Sequence, residues 1–283
     1  MKQWIYALTP CLAFHLVFSG LLIVSLNGCT YGTHRIKPTI LINHHVLAYT
    51  YLPSTSHTTK PTVVFQSGLG DDQTVWQAVI KGLGDKVASL RYDRAGYGAS
   101  AAASAPRTPC QIASEQHELL QTLGISPPYI LVGHSLGGLY EYVYANLYPH
   151  EVAGLVLLDP THPQHWQRIQ AELPAIATLL STSRLVFGST ACQEFDAQQT
   201  CLEQLTAKLP NSISTRLLVS TQRTALEQGA FEQMLKELAL DWQRKTNAPI
   251  IQTINSGHYI QSEQPEAVIM AIHEILRFKA KSP

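Results

Sequence analysis

One pentapeptide limits the folds open to this chain more than any other feature. Gly133-His134-Ser135-Leu136-Gly137, with Gly138 after it, stands between the apolar run Tyr129-Ile130-Leu131-Val132 and a segment of helical spacing from Leu136 to Tyr148. A strand that passes into a helix within so few residues must turn sharply. Bulky side chains at the flanking positions would clash, so the glycines are there for steric reasons. Such a turn exposes the Ser135 hydroxyl, and the helix behind it directs unpaired N–H groups and a positive dipole end at the same point. The pattern G-x-S-x-G in this strand–turn–helix setting reads as a nucleophilic serine. A plain packing turn is the alternative use of the same residues.

The surrounding chain repeats the alternation. Thr39 to Asn43 and Val46 to Tyr51 flank His44-His45 as an antiparallel hairpin. Pro61 to Gln66, Val87 to Tyr92, Tyr129 to Val132 and Val152 to Leu158 are short apolar runs, and helical spacing appears at Val75 to Leu83 and Cys110 to Leu123. Uninterrupted apolar strands alternating with helices predict an α/β fold with a parallel sheet buried on both faces. Regularity lapses between Thr161 and Ser214, a Gln-, Thr- and Ala-rich stretch expected to form helices over the sheet. Arg216 to Ser220 and Pro249 to Ile254 are the last strands, with helices at Ala225 to Lys245 and Pro265 to Phe278.

From about residue 40 to 280 the chain resembles the α/β-hydrolases of the lipase/esterase-like kind. Besides the pentapeptide, Ser67-Gly68-Leu69-Gly70 stands in the place of that family's oxyanion loop. Asp93-Arg94-Ala95-Gly96-Tyr97-Gly98-Ala99-Ser100 resembles its D-R-x-G-x-G-x-S turn, and Ser256-Gly257-His258-Tyr259 its histidine loop. The resemblance implies an α/β-hydrolase fold, a mostly parallel central sheet flanked by helices with a helical cap insertion. The implied domain plan is core at 39–160, cap at 161–214 and core again at 215–283. It further implies that the Leu69 and Leu136 amides bind an oxyanion and that His258 activates Ser135. A serine hydroxyl is a poor nucleophile at neutral pH and needs such a base.

The acid is less sharply marked. Many relatives carry it after the penultimate strand, where Thr221-Gln222-Arg223-Thr224 has no carboxylate. Asp159, after the preceding strand, is the favoured candidate, with Glu227 and Asp241 as alternatives. His134, inside the turn, is expected to point into the fold and support it. His44, His45, His57 and His117 read as surface or internally satisfied side chains. Asp71-Asp72 reads as a solvated loop, with a cation site as the alternative. Trp166, Phe187 and Phe195 are candidates for an acyl pocket or for ordinary core.

The N-terminus raises a separate question. Residues 1–28 hold one charge, Lys2, and no charged residue lies between Trp4 and Leu26. A span of this length and polarity reads as a secretory signal or a membrane anchor. Leu26-Asn27-Gly28-Cys29 resembles the lipobox of bacterial lipoproteins, which implies lipidation of Cys29, with residues 29–38 as a tether. An uncleaved helix is the alternative. Cys192 and Cys201 are separated by eight residues and are candidates for a short-loop disulfide in an oxidising compartment, or for two buried thiols. Cys110 reads as a small core hydrophobe.

Twenty basic and 20 acidic side chains cancel, which excludes the basic footprint of a nucleic-acid binder. No phosphate loop, dinucleotide-binding glycine motif or H-E-x-x-H is present, so no cofactor and no metal are expected. Together these features lead to an expectation: a serine hydrolase of apolar carboxylic esters, held at a bacterial membrane and facing the periplasm or exterior. A thioesterase, amidase or C–C hydrolase on the same residues is the alternative, as is a non-catalytic binding lipoprotein.

Overall fold

The computed structural model describes residues 37–56, 61–183, 187–205 and 208–279. The expectations for residues 1–28, for Cys29 and most of the tether, and for His57 lie outside the described residues. No helix among the described residues is long and apolar enough to cross a membrane.

Eight strands form one sheet: β1 (Thr39–Ile42), β2 (His45–Leu52), β3 (Thr62–Gln66), β4 (Ser89–Tyr92), β5 (Tyr129–His134), β6 (Val152–Leu158), β7 (Ser214–Ser220) and β8 (Ile251–Ile254). Their spatial order is β1-β2-β4-β3-β5-β6-β7-β8. The first two join antiparallel, and β4 through β8 run parallel. Every residue of β3, β5 and β6 is buried, as unbroken apolar strands require when helices cover both faces. The strand order reverses between β3 and β5. The crevice outside the carboxyl ends of strands at such a reversal is where an open α/β sheet binds ligands. The Ser67–Gly70 loop leaves β3 there, and Ser135 follows β5.

Helices α1 (Gln77–Leu83), α2 (Pro109–Thr122), α3 (Leu136–Leu147), α4 (His165–Glu172), α5 (Pro174–Ser183), α6 (Ser189–Ala197), α7 (Ala230–Thr246), α8 (Ile260–Glu263) and α9 (Pro265–Lys279) complete the layers. Helices α2 and α3 with Trp242 of α7 seal one sheet face, and α1 and α9 the other. Burying each Leu, Ile or Val of these layers stabilises by roughly 1.5–3 kcal/mol. Thr108 starts α2 by accepting from Gln111 N–H at 3.2 Å, with Pro109 in the first turn, where its missing N–H costs nothing. The stretch between β6 and β7 carries α4, α5 and α6. Ile169 of α4 joins Phe231, Met234 and Leu238 of α7 in a third apolar cluster, which seats this insertion on the core.

Two sequence expectations are corrected. Cys201 is not bridged to Cys192: it forms a disulfide with Cys110, 91 residues earlier, and Cys192 remains a thiol. Closeness in sequence favoured the short loop. The fold instead brings the segment after α6 onto the start of α2, so Cys110 is a crosslink rather than core filler. The hairpin turn also shifts by one residue. Asn43 and His44 both take positive φ (46° and 67°) and form the two-residue turn, while His45 pairs with Ile42 inside β2. Asn tolerates the left-handed region better than most residues, and two successive positive φ values suit a twisted hairpin.

Candidate active site

Ser135 occupies the junction of β5 and α3 at φ 53° and ψ −122°, a conformation that costs a non-glycine residue free energy and persists only under tight constraint. The constraint is visible on both sides. Ser135 N–H donates to Leu158 O at 2.9 Å, and its carbonyl accepts from Gly138 N–H and Thr161 N–H, each at 2.9 Å. The neighbouring glycines allow the approach. A Cβ on Gly133 would meet the Gly137 carbonyl, and one on Gly137 would meet the carbonyls of Gln66 and Ser67. Any side chain there would therefore push the Ser67–Gly70 loop away from Ser135.

His258 follows β8 and Asp159 follows β6, and the sheet order brings the two strand ends together. His258 Nδ1 lies 3.3 Å from Asp159 Oδ2. The Asp159 side chain is 10% exposed and that of His258 is 37% exposed, so the carboxylate is shielded and the imidazole stays accessible. Ser220, the last residue of β7, donates its N–H to Asp159 Oδ1 at 2.8 Å and its hydroxyl to Oδ2. Burial alone would raise the Asp159 carboxyl. The hydrogen bond and charge of His258 and the two bonds from Ser220 outweigh it and hold the group below its ordinary range. Burial likewise works against a charged His258, but its bond to Asp159 and the Asp159, Glu227 and Asp71 charges hold it above its usual value.

The other carboxylate candidates are engaged elsewhere. Glu227 accepts from Thr224 N–H and hydroxyl, each at 2.9 Å, in a capping turn at the cavity edge. Asp241 on α7 accepts from His162 Nε2 at 2.8 Å and from Arg244 at 2.8 Å. Because Gln164 N–H donates to His162 Nδ1, the proton of this neutral ring sits on Nε2, toward Asp241.

His134 points inward, its Nε2 2.9 Å from His258 O. Burial, reinforced by the nearby His258 charge, lowers it to about 3, so it stays neutral and ties the turn after β5 to the histidine loop. Asp71 and Asp72 face different ways. Asp72 caps the following turn through Thr74 N–H at 2.7 Å, whereas Asp71 turns in between Tyr259 and His134. Burial pushes Asp71 up to about 6, the Arg94 charge opposing, so a solvated reading does not hold for it. Among the described residues, no cluster of three or more His, Cys, Asp or Glu could hold a metal.

Ser135, Asp159 and His258 line one cavity of about 200 Å³. Its walls are mainly apolar and come from Ile169, Ile176, Leu180, Phe231, Leu235 and Trp242. The three aromatics expected as alternatives, Trp166, Phe187 and Phe195, pack instead on one another, with ring centroids 4.9 and 6.2 Å apart. Sequence reasoning missed Ser220, Arg223 and Glu194. The end of a predicted strand was a local signal for Ser220, but nothing local marks Glu194.

The fold has counterparts among known proteins. A family profile described as alpha/beta hydrolase fold matches residues 61–180. The uncharacterized protein YqjL of Bacillus subtilis (strain 168) is 28% identical over 229 residues, 76% of this chain and 83% of that protein. A (Lyso)-N-acylphosphatidylethanolamine lipase of Homo sapiens is 28% identical over 146 residues, 48% of this chain, and the chain spans 42% of its length. The crystal structure of the enol-lactonase from Burkholderia xenovorans LB400 superposes with a TM-score of 0.64 at 20% identity, covering 85% of this chain and 100% of that one.

Proposed function

This chain has the α/β-hydrolase fold, and from that premise we propose that it is a serine hydrolase cleaving carboxylic esters of apolar small molecules through an acyl-enzyme. The observation that carries the reading is the 3.3 Å approach of His258 Nδ1 to Asp159 beside the strained Ser135, all three lining one apolar cavity. The lipase among the relatives supports the ester class. Ser135 is the nucleophile, because this position does not hold the aspartate used by related dehalogenases and epoxide hydrolases.

In the proposed cycle Ser135 Oγ attacks the ester carbonyl carbon as its proton passes to His258 Nε2. The carbonyl electron pair moves to oxygen, where the Leu69 and Leu136 N–H groups receive it; one such donor is worth about 2.7–4 kcal/mol of barrier. Collapse of this intermediate expels the alcohol, which takes the proton from His258, and leaves an acyl-Ser135 ester. Water then repeats the sequence with His258 again as base, releasing the acid and restoring Ser135. Asp159 orients the imidazole and stabilises its cation without taking the proton. No cofactor enters this cycle.

The test is hydrolysis of p-nitrophenyl esters of increasing acyl length together with labelling by a fluorophosphonate. Labelling at Ser135 and its loss in Ser135→Ala, along with the rate, are expected. A Ser135→Ala protein that keeps the wild-type rate would sink the mechanism. Absence of any labelling would favour the binding-protein alternative.

The same proposal places the enzyme at a bacterial cell envelope, held by a lipid on Cys29 or by residues 1–28 as a helix. The support is the near-absence of charge in residues 1–28 and the Leu26-Asn27-Gly28-Cys29 sequence. Cys29→Ser should leave an unprocessed precursor, and normal processing of that variant would refute the lipid anchor.

A further inference from the structure

Arg94, in the turn after β4, engages all five of its N–H donors. Nη1 donates to Ser67 O at 2.6 Å and to Gln66 Oε1 at 3.2 Å, and Nη2 donates to Gly68 O at 2.8 Å. The two remaining donors, on Nε and Nη2, reach the Glu194 carboxylate at 3.0 and 2.9 Å. Glu194 lies on α6, in the insertion between β6 and β7, exactly one guanidinium away from the loop that follows β3. It is held from other directions as well. Tyr97 OH donates to Oε2 at 3.0 Å, and Arg107 Nη2 lies 3.8 Å from Oε1 while Arg107 also pairs with Glu115. The Glu194 side chain is fully buried. Helix α6 also rests on the turn that carries Arg94, because a Cβ on Gly96 would collide with Thr190.

A buried ion pair is a poor source of net stability, since desolvation consumes most of its attraction. Direction is what this one can supply. The peptide joining Gly68 to Leu69 is planar, so its C=O and N–H point opposite ways. Holding Gly68 O on Arg94 therefore also fixes where Leu69 N–H points. The loop stands against the nucleophile, for a Cβ on Gly68 would lie 3.4 Å from Ser135 Cβ.

We infer that Glu194 is a positioning residue for the oxyanion loop. Through Arg94 it holds the Gly68–Leu69 peptide, so α6 and the Leu69 donor behave as one rigid unit. The catalytic part of this inference rests on the function proposed above, whereas the rigidity of the loop does not.

Amide hydrogen exchange and ester kinetics on the full chain, wild type against Glu194→Gln, test it. Exchange of peptides spanning residues 67–72 should quicken about tenfold or more, with β5 unchanged. The kcat should fall by about tenfold or more, below the loss for deleting an oxyanion donor outright, while KM stays within about twofold. Inhibition by an alkylboronic acid, whose tetrahedral adduct needs the same donors, should weaken by the factor lost in kcat. If Glu194→Gln does not fold, Tyr97→Phe removes a single bond to Glu194 and should give the same pattern at roughly two- to threefold. Unchanged protection of residues 67–72 overturns the inference whether or not the protein hydrolyses esters. A raised KM with unchanged kcat also overturns it. Faster exchange in a protein that cleaves no ester supports the loop coupling and removes only the proposed function.

Discussion

Ser220 gives both of its hydrogen-bond donors to Asp159, although Ser220 ends β7 and Asp159 follows β6. Arg223 in turn donates to Ser220 Oγ and to Ser220 O, each at 2.7 Å. Bonds in such a chain polarise one another, so the charge of Arg223 is felt at Asp159 through the hydroxyl. The end of β7 therefore supplies the donors that hold the Asp159 carboxylate in place.

The first prediction follows from that pair. Asp159→Asn should lower kcat by roughly 10⁴, the loss expected when the imidazole takes the wrong tautomer. Ser220→Ala should cost about tenfold in kcat/KM, one hydrogen bond to a charged group being worth roughly 1.5–3 kcal/mol. Glu227→Gln should leave the rate near wild type. Steady-state kinetics on the three variants checks the order, and a Glu227→Gln loss exceeding that of Asp159→Asn would move the acid to Glu227.

The second prediction concerns pH and rate. His258 must be neutral to accept the serine proton, and Asp159 holds it above the ordinary histidine value. The acid limb of kcat/KM should therefore lie above that value and move down in Asp159→Asn, where the negative charge is gone. A limb that does not move between the two proteins would mean that another group titrates there.

Stability should respond to pH through different residues. His134 is lowered to about 3, and His162 and His165 to about 4, each chiefly by burial. A histidine whose folded value is depressed binds its proton in the unfolded chain first, so stability is full above the ordinary value near 6.5 and drains as pH falls toward 4. Asp71, raised to about 6, and the buried Glu141 of α3, raised well above its ordinary value by burial, work in the opposite sense over that window, and His258 does so above 6.5. Substitution isolates the histidine part: His162→Gln, which cannot titrate, should lose less unfolding free energy between pH 7 and pH 4.5 than wild type in urea. The same pH difference in the variant as in wild type would contradict the assignment of a neutral, buried ring at His162.

The disulfide supplies a fourth. A native disulfide typically stabilises by about 2–4 kcal/mol, mainly by restricting the unfolded chain, and the Cys110–Cys201 bond closes a long loop. Reduction, or Cys110→Ser, should lower the Tm by several degrees, whereas Cys192→Ser should leave it unchanged. Thermal unfolding with and without reductant measures both. A drop with Cys192→Ser and none with Cys110→Ser would reinstate the short-loop pairing.

The parts of the molecule that were legible early are those whose physics is local. The turn at Ser135 was readable because strand, glycines and helix are contiguous, and one steric argument covers them. His258 stood out among 12 histidines by its position between the last strand and the closing helix. The alternation of apolar runs with helical spacing was enough for a parallel sheet. Strand β1 and the hairpin came out nearly in register, slipping by one residue where Asn43 outcompeted His45 for the turn.

What remained illegible depends on distance between segments. The sequence favoured Asp159 over Glu227 and Asp241 only by its place after a strand, and it was the placement of β6 beside β7 that set Asp159 against His258 and left Glu227 capping a turn. The disulfide partner of Cys201 lies 91 residues away, and Glu194 lies 100 residues from Arg94. By itself, the sequence determined the periodicities, the steric need for glycine around Ser135 and the types of group available for chemistry. Only the tertiary structure decided which groups meet, because contacts across a sheet follow strand order and insertion packing, and neither leaves a signal in any local window.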